Sequence, residues 1–538
     1  MRLRLRKWIL MSVLFSMLVG CGGPWSSGDR VLVSKCAYDA GIGSPHRYDV
    51  VVFKYPLGPM DNNTPKNYIK RLLGLPGELI AIFFGRLYRW VPGPNDSPPF
   101  DDINGGKVNP DHLHLHAWMH KDEPPVHDWF EEGRDARTGK ERRFEILRKP
   151  PHVMMALRRI VYDNDYQAKD LKGKLDRWTP SKESGWKVEN ETGFVHDSKT
   201  ADRVDWLRYQ HLLAPENRII FGDIREKTKP RLILDTMDYN SFDTVAPDGR
   251  DRPRTPSHPH WVGDLMIECN VEIVDPRGEF WFELSRGIHR YRACWDLASG
   301  KCTLFRIGKE GQNETSEVLA VRETTRVKGA GNHLLRFANI DARLTVWVDS
   351  ELPFGDGHEY EPLDIRGPKD KKGLTLKDIE DRRGPRPEND LEPASIGSKG
   401  AHVKITHLRL WRDTYYTTQG NGPDYDLPDP RLLDTEFWTS PATWSPDRKN
   451  RFHDAMKHKL TADAMQEWEK KDWEEKGWEP LHRQKYATMF VQPGHYLCLG
   501  DNSQQSADSR EWGLVPQRLM LGRALMVYFP LDRVGPIR

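Results

Sequence analysis

The chain is short of cysteine, nearly balanced in charge and without any apolar run long enough to cross a bilayer comfortably. Six cysteines are scattered over 538 residues, none in a CxxC pair. Neither a disulfide framework nor a structural zinc site of ordinary spacing is therefore expected. Cys294 and Cys302 alone lie close enough in sequence for a hairpin disulfide. A formal net charge of +2 gives no electrostatic ground for a nucleic-acid partner. The apolar run at residues 8–19 is about a dozen residues long, too few for a comfortable span but suited to the core of an export signal.

What is present begins at that leader. Arg2, Arg4, Arg6 and Lys7 form a basic start, and Leu18, Val19, Gly20 and Cys21 fit the lipobox of bacterial lipoproteins. That pattern predicts residues 1–21 as a lipoprotein-type signal or anchor, with Cys21 lipidated and the remainder exported. Several acyl chains together make a stable anchor at about 0.8 kcal/mol per buried methylene. An uncleaved signal anchor with an incidental cysteine is the other reading of the same residues.

The rest of the chain reads as mainly β. Short β-type runs at 30–33, 50–53, 68–72 and 79–83, punctuated by Gly and Pro, predict an all-β unit over 28–90. Residues 91–185 are polar and Pro-rich, a connecting region with one helix expected over 153–162. From 186 to 417 alternating apolar and polar residues return, at 265–273, 280–284, 334–337, 343–349 and 403–411. Many alternating strands at short spacing predict a β-sandwich. The strand–turn texture between Asn339 and Asp349 resembles laminin-G and concanavalin-type jelly rolls. Nineteen tryptophans read chiefly as core of such a sandwich, with carbohydrate stacking as the minority role. Residues 361–393 are a charged, Pro-rich loop within it. Residues 418–485 form a linker with a surface helix over 457–478, and 486–538 are again compact and β-like.

Three separated blocks of sequence stand apart from this texture. The first is Gly28, Asp29, Arg30, Val31, Leu32, Val33, Ser34 and Lys35. The second runs from Arg47 through Tyr55 and Pro56 to Tyr68, Ile69, Lys70, Arg71, Leu72 and on to Glu78. The third starts at Gly500, Asp501 and Asn502, passes Ser506, Asp508 and Arg510, and ends near Gly522, Arg523 and Ala524. Together, and in this order, the three blocks resemble the type I signal peptidase family; the resemblance covers the two ends of the chain and implies a catalytic β unit split by a large insertion that contains the sandwich.

It also implies an endopeptidase at the outer face of the bacterial cytoplasmic membrane, or on its periplasmic side. Such an enzyme removes leader peptides from preproteins with small residues before the cleavage site. The family uses a Ser/Lys dyad, in which a lysine acts as base only when apolar surroundings keep it neutral. By resemblance Lys70 is that base, flanked by Tyr68, Ile69, Leu72 and Leu73. Ser506 orients its amine, Asp508 and Arg510 hold the loop in shape, and Gly500, Asp501 and Asn502 turn the loop toward the lysine. This mechanism requires neither metal nor other cofactor. His112, His114 and His116, with His120 and His127 nearby, read as a solvated cluster over a transition-metal site.

The pattern breaks at the nucleophile. The family's Ser-Met pair lies about eight residues before the Gly-Asp of the first block, and that count lands on Gly20. Ser26 and Ser27 abut the first strand, and Ser12 and Ser16 lie inside the leader. Cys21, Gly22, Gly23 and Pro24 echo the Ser-Met-x-Pro spacing with one residue fewer before Gly28. A thiol beside a neutral lysine is a competent nucleophile, but Val19 offers no hydroxyl to an oxyanion and an acylated Cys21 is blocked. Three functions follow: a leader-removing endopeptidase, a catalytically inactive homologue serving as a cell-surface lipoprotein binding or scaffold module, and a carbohydrate-binding lipoprotein framed by the peptidase halves.

Overall fold

The computed structural model describes residues 29–38, 43–56, 66–91, 145–167, 173, 175–182, 184–197, 203–215, 230–235, 242–243, 260–310, 313–360, 384–418, 486–503 and 506–537. Its regular structure is almost entirely antiparallel β.

The two ends of the chain interleave in one unit. Its larger sheet runs in the order Arg30–Ser34, Met520–Phe529, Val50–Lys54, Asn67–Gly74, His495–Leu499, Val515–Pro516, with Gly535–Pro536 also on Met520–Phe529. Strands from the first hundred residues are thus interleaved with strands from the last fifty. A second sheet orders Tyr486–Phe490, Leu79–Phe83, Arg86–Trp90 and Glu145–Ile146. Leu79–Phe83 is buried at all five positions, which accounts for an unbroken apolar run where a half-exposed strand would alternate. The turn into Arg86–Trp90 has positive φ at Phe84 (49°) and Gly85 (76°), the twist that a two-residue hairpin needs. Gly85 is also pressed against Tyr415, where a Cβ would stand 2.3 Å from the ring.

The region between forms a two-sheet sandwich. One sheet orders His358–Glu359, Arg343–Val348, Gly331–Ile340, Leu265–Asp275, His402–Arg412, Gly193–Asp197 and Trp186–Glu189, with Arg159–Asp163 also on His402–Arg412. The other orders Asn313–Arg322, Cys302–Glu310, His289–Asp296, Glu279–Arg286, Ala394–Lys399, Asp205–Tyr209 and Trp178–Pro180. Alternate residues of facing strands, among them Ile267, Val271, Phe280, Phe282, Trp295 and Phe337, meet in one buried cluster. Each large apolar side chain so buried contributes about 1.5–3 kcal/mol, and the alternation read from the sequence is the inner-face pattern of these strands. Trp178, Trp186, Trp261, Trp295, Trp347 and Trp512 are buried, in keeping with a core role.

Several expectations change. The helix is shorter than 153–162: it spans Pro151–Leu157 and ends where Arg158 turns extended, with ψ 140°. Residues 159–163 then form a strand of the sandwich. The stretch read as connection up to residue 185 therefore supplies sandwich strands at Arg159–Asp163 and Trp178–Pro180. Cys294 and Cys302 are free thiols. Cys302 stands opposite Trp295 and Cys294 opposite Thr303, so the two sulfurs leave opposite faces of the sheet. The long loop closes on a short helix, Pro387–Asp390, whose Asp390 accepts from Ser285 Oγ (2.6 Å) and Gly287 N (3.0 Å). The leader with Cys21, the histidine cluster at 112–127 and the helix expected at 457–478 lie outside the described residues. No helix among the described residues is long and apolar enough to cross a membrane.

Candidate active site

Strand alternation decides which neighbours Lys70 has. On Asn67–Gly74, Tyr68 and Leu72 share its side, while Ile69 and Arg71 point to the other. Tyr68 packs against Tyr55 and Trp512, with ring centroids 5.5 and 4.8 Å away. This aromatic group and Leu72 flank the half-buried lysine stem. Burial lowers the Lys70 pKa from the ordinary lysine value; Asp508 opposes the shift and Arg510 adds to it.

The partner strand carries the second half of the site. His495–Leu499 pairs with Asn67–Gly74, Leu499 opposite Arg71, so the chain leaves that strand at Gly500 beside Lys70. Lys70 Nζ donates to Ser506 Oγ at 2.8 Å, across 436 residues of sequence. Gly500 is what allows this approach. A Cβ there would meet Ser506 Oγ at 1.9 Å and Lys70 Nζ at 3.3 Å.

A buried ionic network fixes the loop. Asp508 is fully buried and accepts from Gly500 N (2.9 Å), Arg510 N (3.1 Å), Arg510 Nε (2.9 Å) and Arg510 Nη2 (2.6 Å). Arg510 also donates to Thr417 O (2.8 Å), Thr417 Oγ1 (2.9 Å), Ser503 Oγ (2.7 Å) and Ser503 O (2.6 Å). Asp501 takes a two-pronged bond from Arg71, 2.9 Å on each prong. Asn502 is exposed. Ser509 Oγ accepts from Cys498 N at 3.0 Å, tying the loop back to its strand.

The structure thus brings together Lys70, Gly500, Asp501, Ser506, Asp508 and Arg510. Three contributors escaped the sequence reading. Arg71 and Ser503 lie inside the quoted blocks, but nothing in their spacing shows what they grip. Thr417 ends the sandwich region, and no local signal points from it to a loop more than eighty residues on. An amine desolvated in this way gives up its proton more readily than a solvated lysine, which favours the neutral form a general base requires.

Comparison with known proteins finds similarity over two separated segments of the chain. The family model "Signal peptidase, peptidase S26" matches residues 24–90 and 446–529, on either side of the β-rich insertion. A probable signal peptidase I-2 of Synechocystis sp. is 45% identical over 51 residues, 10% of this chain and 23% of that protein. The signal peptidase I of Pseudomonas aeruginosa is 43% identical over 63 residues, 10% of this chain and 20% of its own length. A probable thylakoidal processing peptidase 2 of Arabidopsis thaliana is 41% identical over 49 residues, 9% and 13% of the two chains. The matches span less than a quarter of those relatives, and homology to the signal peptidase I family is confined to these small regions. Among solved structures, a carbohydrate binding module from Bacillus subtilis overlaps 44% of this chain and 96% of its own at 10% identity and a TM-score of 0.24. A Caenorhabditis elegans galectin overlaps 29% and 87% at 9% identity and 0.17. Overlaps this loose carry no ligand across.

Proposed function

We propose that the chain is an exported signal peptidase homologue that keeps the family's β frame and lysine without the nucleophile, and works at a membrane surface as a binding or scaffold module. The observation that carries this reading is the mismatch between a complete lysine side and an empty serine side. Lys70 and its loop are in register, whereas the residue at the family's nucleophile spacing is Gly20 and residues 19–25 contain no serine. Replacement of that anchor by a lipoprotein leader, with an acylated Cys21, gives the protein an attachment to the outer face of the membrane. The sandwich, whose strands run from Arg159 to Arg412, is the part offered to partners.

One observation favours a second reading, an active leader-removing endopeptidase. The desolvated Lys70 and the buried Asp508–Arg510 clamp are more than a scaffold requires. Here Lys70 is the general base, Ser506 orients it, and preproteins with small residues before the cleavage site are the substrates. Cys21 is then the candidate nucleophile. The deciding experiment offers such a preprotein to the full-length protein, to Lys70→Ala and to Cys21→Ser, with the mass of the mature N-terminus measured alongside. An acylated Cys21 with no turnover supports the binding module. Turnover abolished by Lys70→Ala overturns it in favour of the peptidase.

A further inference from the structure

A second buried lysine lies away from this site. Lys149 follows the strand Glu145–Ile146 and is 4% exposed. Its Nζ is 2.7 Å from Asp341 Oδ2 and 2.8 Å from Asp413 Oδ2. Both acids are buried, at 1% and 3% exposure. Asp341 occupies the two-residue turn between Gly331–Ile340 and Arg343–Val348, held there at φ 54° with Ala342 also at 54°. Asp413 comes directly after the strand His402–Arg412. Carboxylate oxygens of Asp264 lie within 4.8 Å of both. Asp264, however, is held by Arg86 (3.1 Å) and Arg286, and Lys149 Nζ already fills the place a cation would take between the other two.

The two oxygens of Asp341 are unequal. Oδ2 accepts from the backbone N–H of Lys149 (3.1 Å) as well as from its Nζ. Oδ1 is buried with no hydrogen-bond partner among the described residues, and so is Asp413 Oδ1. An Nζ–Oδ2 contact of this length leaves the carboxyl carbon about 3–3.5 Å from the amine, the separation of a near-attack pair.

We propose that Lys149 and Asp341 condense to an intramolecular isopeptide bond, with Asp413 relaying the protons. Asp413 takes a proton from the Lys149 ammonium across their hydrogen bond. The neutral amine attacks the Asp341 side-chain carbon. The C–N bond forms and the C–Oδ1 bond breaks. Oδ1 leaves as water with two of the three ammonium protons, the third stays on the amide nitrogen, and Asp413 returns to its starting state. Oδ2 becomes the amide oxygen and keeps the Lys149 N–H bond that polarises it during attack. Net charge is unchanged, and no oxidant or outside reactant is needed.

The surroundings support each step. Burial pushes the Asp413 carboxyl up to about 7, with Lys149 opposing, so it exchanges a proton near neutrality. Burial disfavours the Lys149 ammonium, but Asp341 and Asp413 outweigh it, and the amine rests charged until Asp413 relieves it. Asp413, Asp264, Arg286 and Thr414 line a small pocket, partly open to solvent, that can receive the released water. Condensation replaces the buried Lys149–Asp341 ion pair, with its unsatisfied Asp341 Oδ1, by a neutral amide, which removes a desolvation cost of several kcal/mol per ion.

Peptide mapping of the full-length protein by mass spectrometry after denaturation tests this directly. The expected result is a branched peptide joining Lys149 to Asp341, lighter than its two parts by one water. Asp341→Asn should link with loss of ammonia in place of water. Asp413→Asn should accumulate the branched peptide about a hundredfold more slowly. Recovery of Lys149 only in unlinked peptides from the unaltered protein overturns the proposal whatever the variants do. A link forming at the original rate in Asp413→Asn overturns the relay.

Discussion

Replacing Asp508 by alanine tests whether the loop at Lys70 is held by charge or merely by packing. The carboxylate is fully buried and takes four N–H bonds, three of them from Arg510. Its removal strands a guanidinium whose side chain is 1% exposed. Breaking one side of such a pair costs about 3–5 kcal/mol. Arg510 keeps four bonds to Thr417 and Ser503, and these neutral acceptors still solvate the charge, so the loss should sit near the lower bound. Hydrogen-exchange mass spectrometry on the segment 495–513 reads this as lost local protection. Removing Arg510 as well, as Asp508→Ala/Arg510→Met, should cost less than the sum of the single changes, with a coupling of about 0.5–3 kcal/mol. A single change that lowers protection by under about 1 kcal/mol, with strict additivity in the double variant, would refute the ionic account of the loop.

Two further outcomes follow from the same geometry. Gly500→Ala drives a Cβ into Ser506 Oγ; it should cost about 1–3 kcal/mol and raise the pH midpoint for labelling the Lys70 amine as water enters, and an unchanged midpoint sinks the idea. His211 is buried and bonded to Tyr209, and burial, then Arg177 and Arg231, lower its pKa to about 3. The folded value lies below the unfolded one of about 6.5, so its share of stability is complete above that pH and declines as the pH falls toward 3, by up to about 4 kcal/mol. Thermal unfolding at pH 7 and pH 5 should therefore differ less for His211→Gln than for the unaltered protein, and equal differences would count against it.

What could be read from the sequence followed the physics of each segment. The strands at Val50–Lys54, Leu79–Phe83, Leu265–Asp275 and His402–Arg412 announced themselves because one or both faces are buried and the residues say so. Asn313–Arg322 did not, because nearly every residue on that edge strand is exposed and no face is marked. The end of the helix was placed five residues too far along the chain, because the switch to extended backbone at Arg158 is decided by pairing with His402–Arg412. The Lys70–Ser506 contact could come only from the family blocks, since no periodicity joins residues so far apart. The grips of Arg71 and Thr417 depend on where a loop lands, which their own neighbours in sequence do not encode.

The interleaving of first and last strands sets an order of assembly. Lys70 cannot meet Ser506 until the final fifty residues exist, so the amine remains solvated and fully basic through most of synthesis. The insertion, by contrast, enters at Arg159 and leaves at Arg412, and those two residues are partners across adjacent strands. Once the sandwich has folded, the chain that must still close between the two ends shrinks from over four hundred residues to well under two hundred. The entropy saved is only about 0.8 kcal/mol, because closure cost grows with the logarithm of length. The gain is therefore one of sequence in time: the middle of the protein folds as a unit, its paired ends deliver both halves of the site to one place, and the lysine is desolvated last.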